Sequence, residues 1–191
     1  MELWKFEGKE LKIHLLELFN NKIDKNQMPQ EWETVMLINT HKKGTKTKCE
    51  NYRGITLLPT AYKLFTNIIN NRLDVIVEDE MVEEQCGFRK GRSCTDAIFT
   101  VQQMIEERKE HNLPQFILFI DYEKAYHNVN RDKLWKIMDN KIPMYLLNTI
   151  KCIYRNAKTR IKFDCIISEP THINKGVREE CDLSPVLLNI Y

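Results

Sequence analysis

A single carboxylate follows a continuous apolar run near the middle of the chain. Phe116–Ile120 has the length and composition of a strand buried on both faces, and Asp121 comes directly after it. Carboxylate oxygen is the ligand that Mg²⁺ prefers, and a rigid strand can hold it in a fixed position. Asp121 could therefore serve as a metal ligand, although by itself an aspartate after a strand is more often a turn or helix-cap residue.

Basic residues are concentrated in two short polar segments. The segment 41–49 reads as a hairpin-like loop, and Arg53 follows it toward a second helix. The second segment lies within 88–92, directly after an acidic stretch. Together these segments contain Lys42, Lys43, Lys46, Lys48, Arg89, Lys90 and Arg92. Such side chains bind phosphate groups, but a run of lysines is equally typical of a solvated loop.

The composition is that of an ordinary folded chain. Of 191 residues, 42% are apolar and 29% are charged, and 29 Lys and Arg against 27 Asp and Glu give a net charge of +2. A nucleic-acid partner would therefore need a local basic surface. The six cysteines contain no C-x-x-C, which favours a reduced, intracellular and soluble chain, with nucleus and cytoplasm not distinguished. The apolar runs fall short of the roughly 20 residues of a membrane helix, so no membrane contact is expected.

The elements that would position these residues are mixed, which indicates the α+β class. Apolar spacing predicts helices over about 9–24, around Tyr62 to Ile76, from the caps Thr95 and Asp96, and over 134–138 and 144–154. Strands are predicted at 35–38, at 116–120 and, exposed and antiparallel, at 160–163. Ser184 is expected to cap a final helix whose apolar residues lack a packing partner, as though the chain were cut inside an element.

Four blocks of residues follow one another in a recognisable order along the chain. They are 41–44 (HKKG) with 51–58 (NYRGITLL), 85–93 (QCGFRKGRS), 119–126 (FIDYEKAY), and 176–178 (GVR) with 183–185 (LSP). In this order they resemble the reverse transcriptase domain of non-LTR (LINE-type) retrotransposons, and the similarity runs from about Glu31 to Tyr191. The resemblance implies a right-hand polymerase fold: a helical lead-in over 1–30, fingers over 31–112 and an incomplete palm over 113–191, cut before the Asp-Asp hairpin.

The resemblance also implies a reaction and a role for each matching residue. The intact family adds deoxynucleotides to a DNA primer on an RNA template by two-metal phosphoryl transfer with Mg²⁺ or Mn²⁺. Asp121 matches the catalytic metal ligand. Arg53 and Lys43 match residues that grip the incoming triphosphate, Tyr126 the aromatic ring beneath the deoxyribose, and the peptide of Tyr122 a further nucleotide contact. The nucleic acid would be contacted by Lys42, Arg89, Lys90 and Arg92.

The chain departs from the family pattern at three places. His127 stands where the family has aspartate, and Glu179, Glu180 and Asp182 replace glutamine, glycine and proline, which adds three negative charges. No adjacent Asp-Asp pair occurs. These departures predict that the chain alone does not polymerise. Two alternatives remain at this point, a non-catalytic nucleic-acid-binding module and a chain that does not fold stably, and the oligomeric state stays open.

Overall fold

The computed structural model describes residues 8–191, so the first seven residues of the predicted lead-in lie outside the described part. Eight α-helices are present in that part: α1 (Lys9–Lys25), α2 (Gln30–Glu33), α3 (Thr60–Val77), α4 (Cys94–Glu110), α5 (Ala125–Asn128), α6 (Arg131–Asp139), α7 (Met144–Arg155) and α8 (Ser184–Ile190). The five strands are β1 (Thr34–His41), β2 (Tyr52–Leu57), β3 (Lys158–Phe163), β4 (Ile166–Ile167) and β5 (Thr171–His172). Within residues 8–191 no helix is long and apolar enough to cross a membrane.

The strands form one mixed sheet in the order β2-β1-β3-β4, with β5 also paired to β3. β1 and β2 are an antiparallel hairpin in which Ile38 faces Ile55, so the lysine-rich loop joins two strands, as expected. Residues 52–57, predicted only to lead into a helix, are the second strand of that hairpin. β3 is exposed and antiparallel to β4, as predicted, but it also runs parallel to β1. That pairing joins sequence-distant segments, so a local pattern cannot predict it.

The core lies among the helices. The predicted periodicity of α3 is confirmed, since Tyr62, Phe65, Ile69 and Leu73 are all buried on one face of it. Aromatic rings from three elements meet there: the ring of Phe65 lies 5.3 Å from that of Phe19 and 5.5 Å from that of Trp32. The second part of the core joins α6, α7 and α8. Tilted aromatic packing of this kind stabilises a core beyond the area that it buries.

The prediction of a doubly buried strand at 116–120 is wrong. Phe116 is 95% exposed, Leu118 is 83% exposed, and residues 114–122 form neither a strand nor a helix. A buried strand needs hydrogen-bonding partners on its edges, and none of the five strands of the described chain pairs with this run. The apolar residues of α4 are likewise exposed, although the helix itself forms and is capped by a reciprocal Ser93 and Asp96 box.

The final helix also differs from its prediction. Ser184 is the first helical residue and not the cap; its buried hydroxyl lies 3.4 Å from the Tyr154 hydroxyl. Val186 and Leu187 are buried in the core, so the apolar side of α8 has a packing partner after all. The sequence indicated that these residues are apolar, but the helices that they pack against, α6 and α7, are distant in the sequence.

Candidate functional site

A cleft of about 670 Å³ opens where the second and third sequence blocks meet the end of α8, the helix that begins within the fourth block. We call it the motif cleft. It lies between the second block, the segment after Asp121, and the end of α8. Its lining residues are Gln85, Gly87, Phe88, Tyr122, Glu123, Ala125, Asn128, Leu188, Asn189 and Tyr191. Four of these carry aromatic or large apolar side chains and most of the others carry amides or a carboxylate, a composition typical of a ligand site.

Side-chain amides fasten the second block to α8. The Gln85 amide donates to the Asn189 side-chain oxygen at 3.1 Å and to the carbonyl of Gly87 at 3.2 Å. The Asn189 amide donates to the same Gly87 carbonyl at 3.1 Å. Phe88 follows with a φ of +58°, a region that side chains rarely adopt, and its ring is largely exposed. The amide network therefore holds the turn that presents Phe88 at the motif cleft.

The third and fourth blocks are joined through their backbones. The Gly176 amide donates to the carbonyl of Val129 and the Val177 amide to the carbonyl of Tyr126, both at 2.8 Å. Gly176 has a φ of +80°, and a Cβ there would lie 2.8 Å from backbone atoms of His127. The position therefore requires glycine for both its conformation and its space.

Two of the departures from the family pattern touch each other. Nδ1 of His127 lies 3.3 Å from a carboxylate oxygen of Glu179. Tyr126, beside them, is half-buried against the core, and burial raises the pKa of its phenol, with a smaller contribution from the Glu179 charge. Glu179 therefore lies in the immediate surroundings of Tyr126, the residue matched to the deoxyribose contact.

The structure places Asp121 on the surface, in an irregular segment and not at the end of a strand. Among the described residues, no three His, Cys, Asp or Glu side chains are grouped to hold a metal ion. Two ions about 3.5–4 Å apart need several carboxylate oxygens directed at one point. The donors in residues 8–191 therefore do not fit the two-metal centre that the reverse transcriptase resemblance implies.

The predicted phosphate-binding residues fall into two groups. Arg53, on β2 opposite Thr40, is exposed, as are Lys42 and Lys43 in the adjacent loop. They lie on the sheet, and none of them lines the motif cleft. Lys90 and Arg92 are exposed beside the second block, where Arg92 pairs with Glu83.

Arg89 has a different environment from the other predicted phosphate ligands. Its side chain is 6% exposed and donates to a carboxylate oxygen of Glu78 at 2.8 Å. The same guanidinium donates to the carbonyl of Val82 at 2.6 Å and to that of Gln85 at 3.3 Å. These bonds close the turn before Phe88, which favours a structural role over phosphate contact. The acidic stretch directly before this basic block was the signal for that pairing.

Two further arginines have roles that sequence patterns did not reveal. Arg178 is 5% exposed, donates to the carbonyls of Trp32 and Glu33 at 3.0 and 3.1 Å, and stacks over the Tyr62 ring. Arg131 donates to the carbonyls of Ile173 and Gly176. Arg178 belongs to the fourth block, but Arg131 gave no signal, because these two acceptors lie 42 and 45 residues away in the sequence.

Comparison with known proteins identifies the family of the chain. Residues 40–191 match the family described as reverse transcriptase (RNA-dependent DNA polymerase), so the chain belongs to that family. The family implies a polymerase fold, a divalent metal, and nucleic-acid and deoxynucleotide substrates.

Individual relatives indicate which type of reverse transcriptase the chain resembles. It is 24% identical to the transposon TX1 uncharacterized 149 kDa protein of Xenopus laevis, over 98% of this chain and 14% of that protein. It is 25% identical to the RNA-directed DNA polymerase from mobile element jockey of Drosophila melanogaster, over 91% of this chain and 19% of that protein. The chain is thus a reverse transcriptase domain of the non-LTR retrotransposon type, and it spans less than a quarter of the length of these relatives.

Proposed function

We propose that this chain is the fingers, over 31–112, and part of the palm, over 113–191, of an RNA-directed DNA polymerase. The observation that carries this is the family match over 40–191 together with the meeting of the second and third blocks with the end of α8 at the motif cleft. The incoming deoxynucleotide would contact Arg53, Lys43, Tyr126 and the peptide of Tyr122. The RNA template and DNA primer would contact Lys42, Lys90 and Arg92. Arg89 would act by holding the turn beside them.

Within this proposal the chain does not polymerise by itself. Asp121 matches the metal ligand of the family, but the sequence contains no adjacent Asp-Asp pair. Among the described residues, the possible donors do not form a metal-binding cluster. The run before Asp121 is exposed and irregular, so the carboxylate is not held rigidly. Rigid placement of several ligands is what two-metal transfer requires.

Primer extension tests this inactivity directly. The purified chain, Asp121→Ala and the control Asp24→Ala, whose exposed side chain lies on α1, are each given an RNA template, a DNA primer and Mg²⁺ or Mn²⁺. We expect no template-dependent incorporation from any of the three. Incorporation by the parent and by Asp24→Ala, lost in Asp121→Ala, would contradict the inactivity.

Nucleotide binding tests the other half of the proposal. Fluorescence anisotropy of a labelled deoxynucleoside triphosphate should show binding that weakens in Arg53→Ala and in Tyr126→Ala, whereas Tyr126→Phe, which keeps the aromatic ring, should bind as the parent does. Arg160→Ala, an exposed arginine on β3, is the matched control and should bind as the parent does. Equal affinities in the Arg53 and Arg160 variants would contradict the assignment of Arg53.

A second candidate is a nucleic-acid-binding module without chemistry, favoured by the lysine-rich loop. Its lysines are exposed at the tip of the β1–β2 hairpin, where Lys48 also pairs with Glu50 at 3.7 Å. Binding through these charges should weaken steeply as the salt concentration rises. Each lost phosphate contact lowers the slope of log K against log salt concentration by about 0.7 for single strands. Lys42→Glu with Lys43→Glu should therefore reduce the slope by about 1.4. Salt-independent binding would remove this candidate.

A further inference from the structure

The contact between His127 and Glu179 has a consequence for the charge at the nucleotide position. We propose that His127 is a positioning residue: it pairs with the Glu179 carboxylate and so prevents that charge from repelling an anionic nucleotide beside Tyr126. The proposal rests on the proposed function. It interprets two substitutions, aspartate to histidine and glutamine to glutamate, as one compensated exchange and not as independent losses.

The backbone makes this contact a property of the fold. Val177 donates to the carbonyl of Tyr126, and Gly176 packs directly against the backbone of His127. Glu179 follows Val177 by two residues, and His127 follows Tyr126 by one. The two side chains consequently emerge from segments that are already hydrogen-bonded together, and Nδ1 of His127 lies 3.3 Å from a carboxylate oxygen of Glu179. Neither side chain needs a long, unsupported reach to form the pair.

Charge makes the contact matter for a nucleotide. The Glu179 side chain is 21% exposed and the His127 side chain 58%, so the carboxylate is partly shielded while the imidazole faces solvent. The influence of Glu179 already reaches the Tyr126 phenol. A triphosphate bound beside Tyr126 would therefore be repelled by the Glu179 carboxylate if His127 did not pair with it. At about 6 Å in water, one such charge weakens the binding of a single negative charge about three-fold, and of a triphosphate more.

A four-protein cycle tests the electrostatic role. Binding of a labelled deoxynucleoside triphosphate is measured at about pH 6, where an imidazole in water is mostly protonated, for the parent, His127→Ala, Glu179→Gln and the double variant. His127→Ala should raise Kd by about three-fold or more, and the double variant should return to within about two-fold of Glu179→Gln. His127→Lys, which restores a cation, should bind as the parent does. A double variant as weak as His127→Ala would overturn the proposal, as would a His127→Ala protein that binds normally.

Urea unfolding of the same four proteins separates the pair from the proposed function. The pair should appear as a non-additive change of about two- to five-fold in the unfolding equilibrium constant. Strictly additive changes would overturn the pairing itself. If no protein of the cycle binds the nucleotide while the coupling is present, the pair stands, whereas the electrostatic role and the proposed function both fail.

Discussion

Replacing Gly176 by alanine would test the junction that brings the third and fourth blocks together. The glycine has a φ of +80°, and an added Cβ would lie 2.8 Å from both Cα and the carbonyl oxygen of His127 and 2.9 Å from the carbonyl oxygen of Tyr126. All three are backbone atoms, so no side-chain rotation can relieve the contact. Gly91 is a matched control, since its φ is +76° but no atom of the described residues lies within 4 Å of the position that a Cβ would take there.

The size of the effect follows from two contributions. The left-handed conformation costs an alanine about 1–2 kcal/mol, and this cost applies to both glycines. Overpacking against backbone adds about 1–3 kcal/mol at Gly176 alone. Urea unfolding followed by circular dichroism should therefore show a loss of about 3 kcal/mol for Gly176→Ala and about half that for Gly91→Ala. Equal losses in the two variants would refute the close approach of the two blocks.

Three other changes give independent checks. Arg178→Ala should lower the free energy of unfolding by about 3 kcal/mol, because two backbone carbonyls lose a charged donor, whereas the exposed Arg160→Ala should change it little in the same urea titration. Leu118→Lys should leave the unfolding midpoint unchanged, and a large loss would show that this side chain is buried. The hydrogen bond from Arg89 lowers the pKa of Glu78 below its ordinary value of 4.5, so its stabilisation is present above that value and is lost as the pH falls through the lowered pKa. Glu78→Gln should therefore flatten the fall in urea midpoint between about pH 5 and pH 3.

Local sequence patterns predicted the helices well because the apolar face of a helix is formed by residues that are close together in the sequence. The apolar stripe of α3 and the helical spacing in α7 each report one buried face, and both faces are buried in the structure. The same reasoning fails at Phe116–Ile120. An apolar run indicates that a segment would be stable if it were buried, but burial as a strand also requires edges that pair with it. The five strands of the described chain supply no such edge to this run.

The resemblance selected segments that the structure does bring together, but it did not indicate the contacts between them. The second and third blocks line the motif cleft together with the end of α8, the helix that begins within the fourth block. The resemblance treated His127 and Glu179 as separate departures, because local spacing does not reveal a contact between residues 52 positions apart. Arg89 was assigned to phosphate for its charge alone, whereas its burial against Glu78 depends on how the chain turns between them.

Arg178 explains why the sheet and the motif cleft should behave as one unit. Its guanidinium is buried, and within residues 8–191 it has no carboxylate partner and its Nε has no hydrogen-bond partner. The cost of removing this charge from water is therefore offset by the carbonyls of Trp32 and Glu33 and by the Tyr62 ring. Those carbonyls directly precede β1, while Gly176, two residues before Arg178, packs on α5. A displacement of β1 would take these carbonyl acceptors away from Arg178 and leave its buried charge unpaired in the loop that supports Tyr126. Unfolding of the sheet alone or of the motif cleft alone would therefore be costly in free energy. This favours a single cooperative unfolding transition of both.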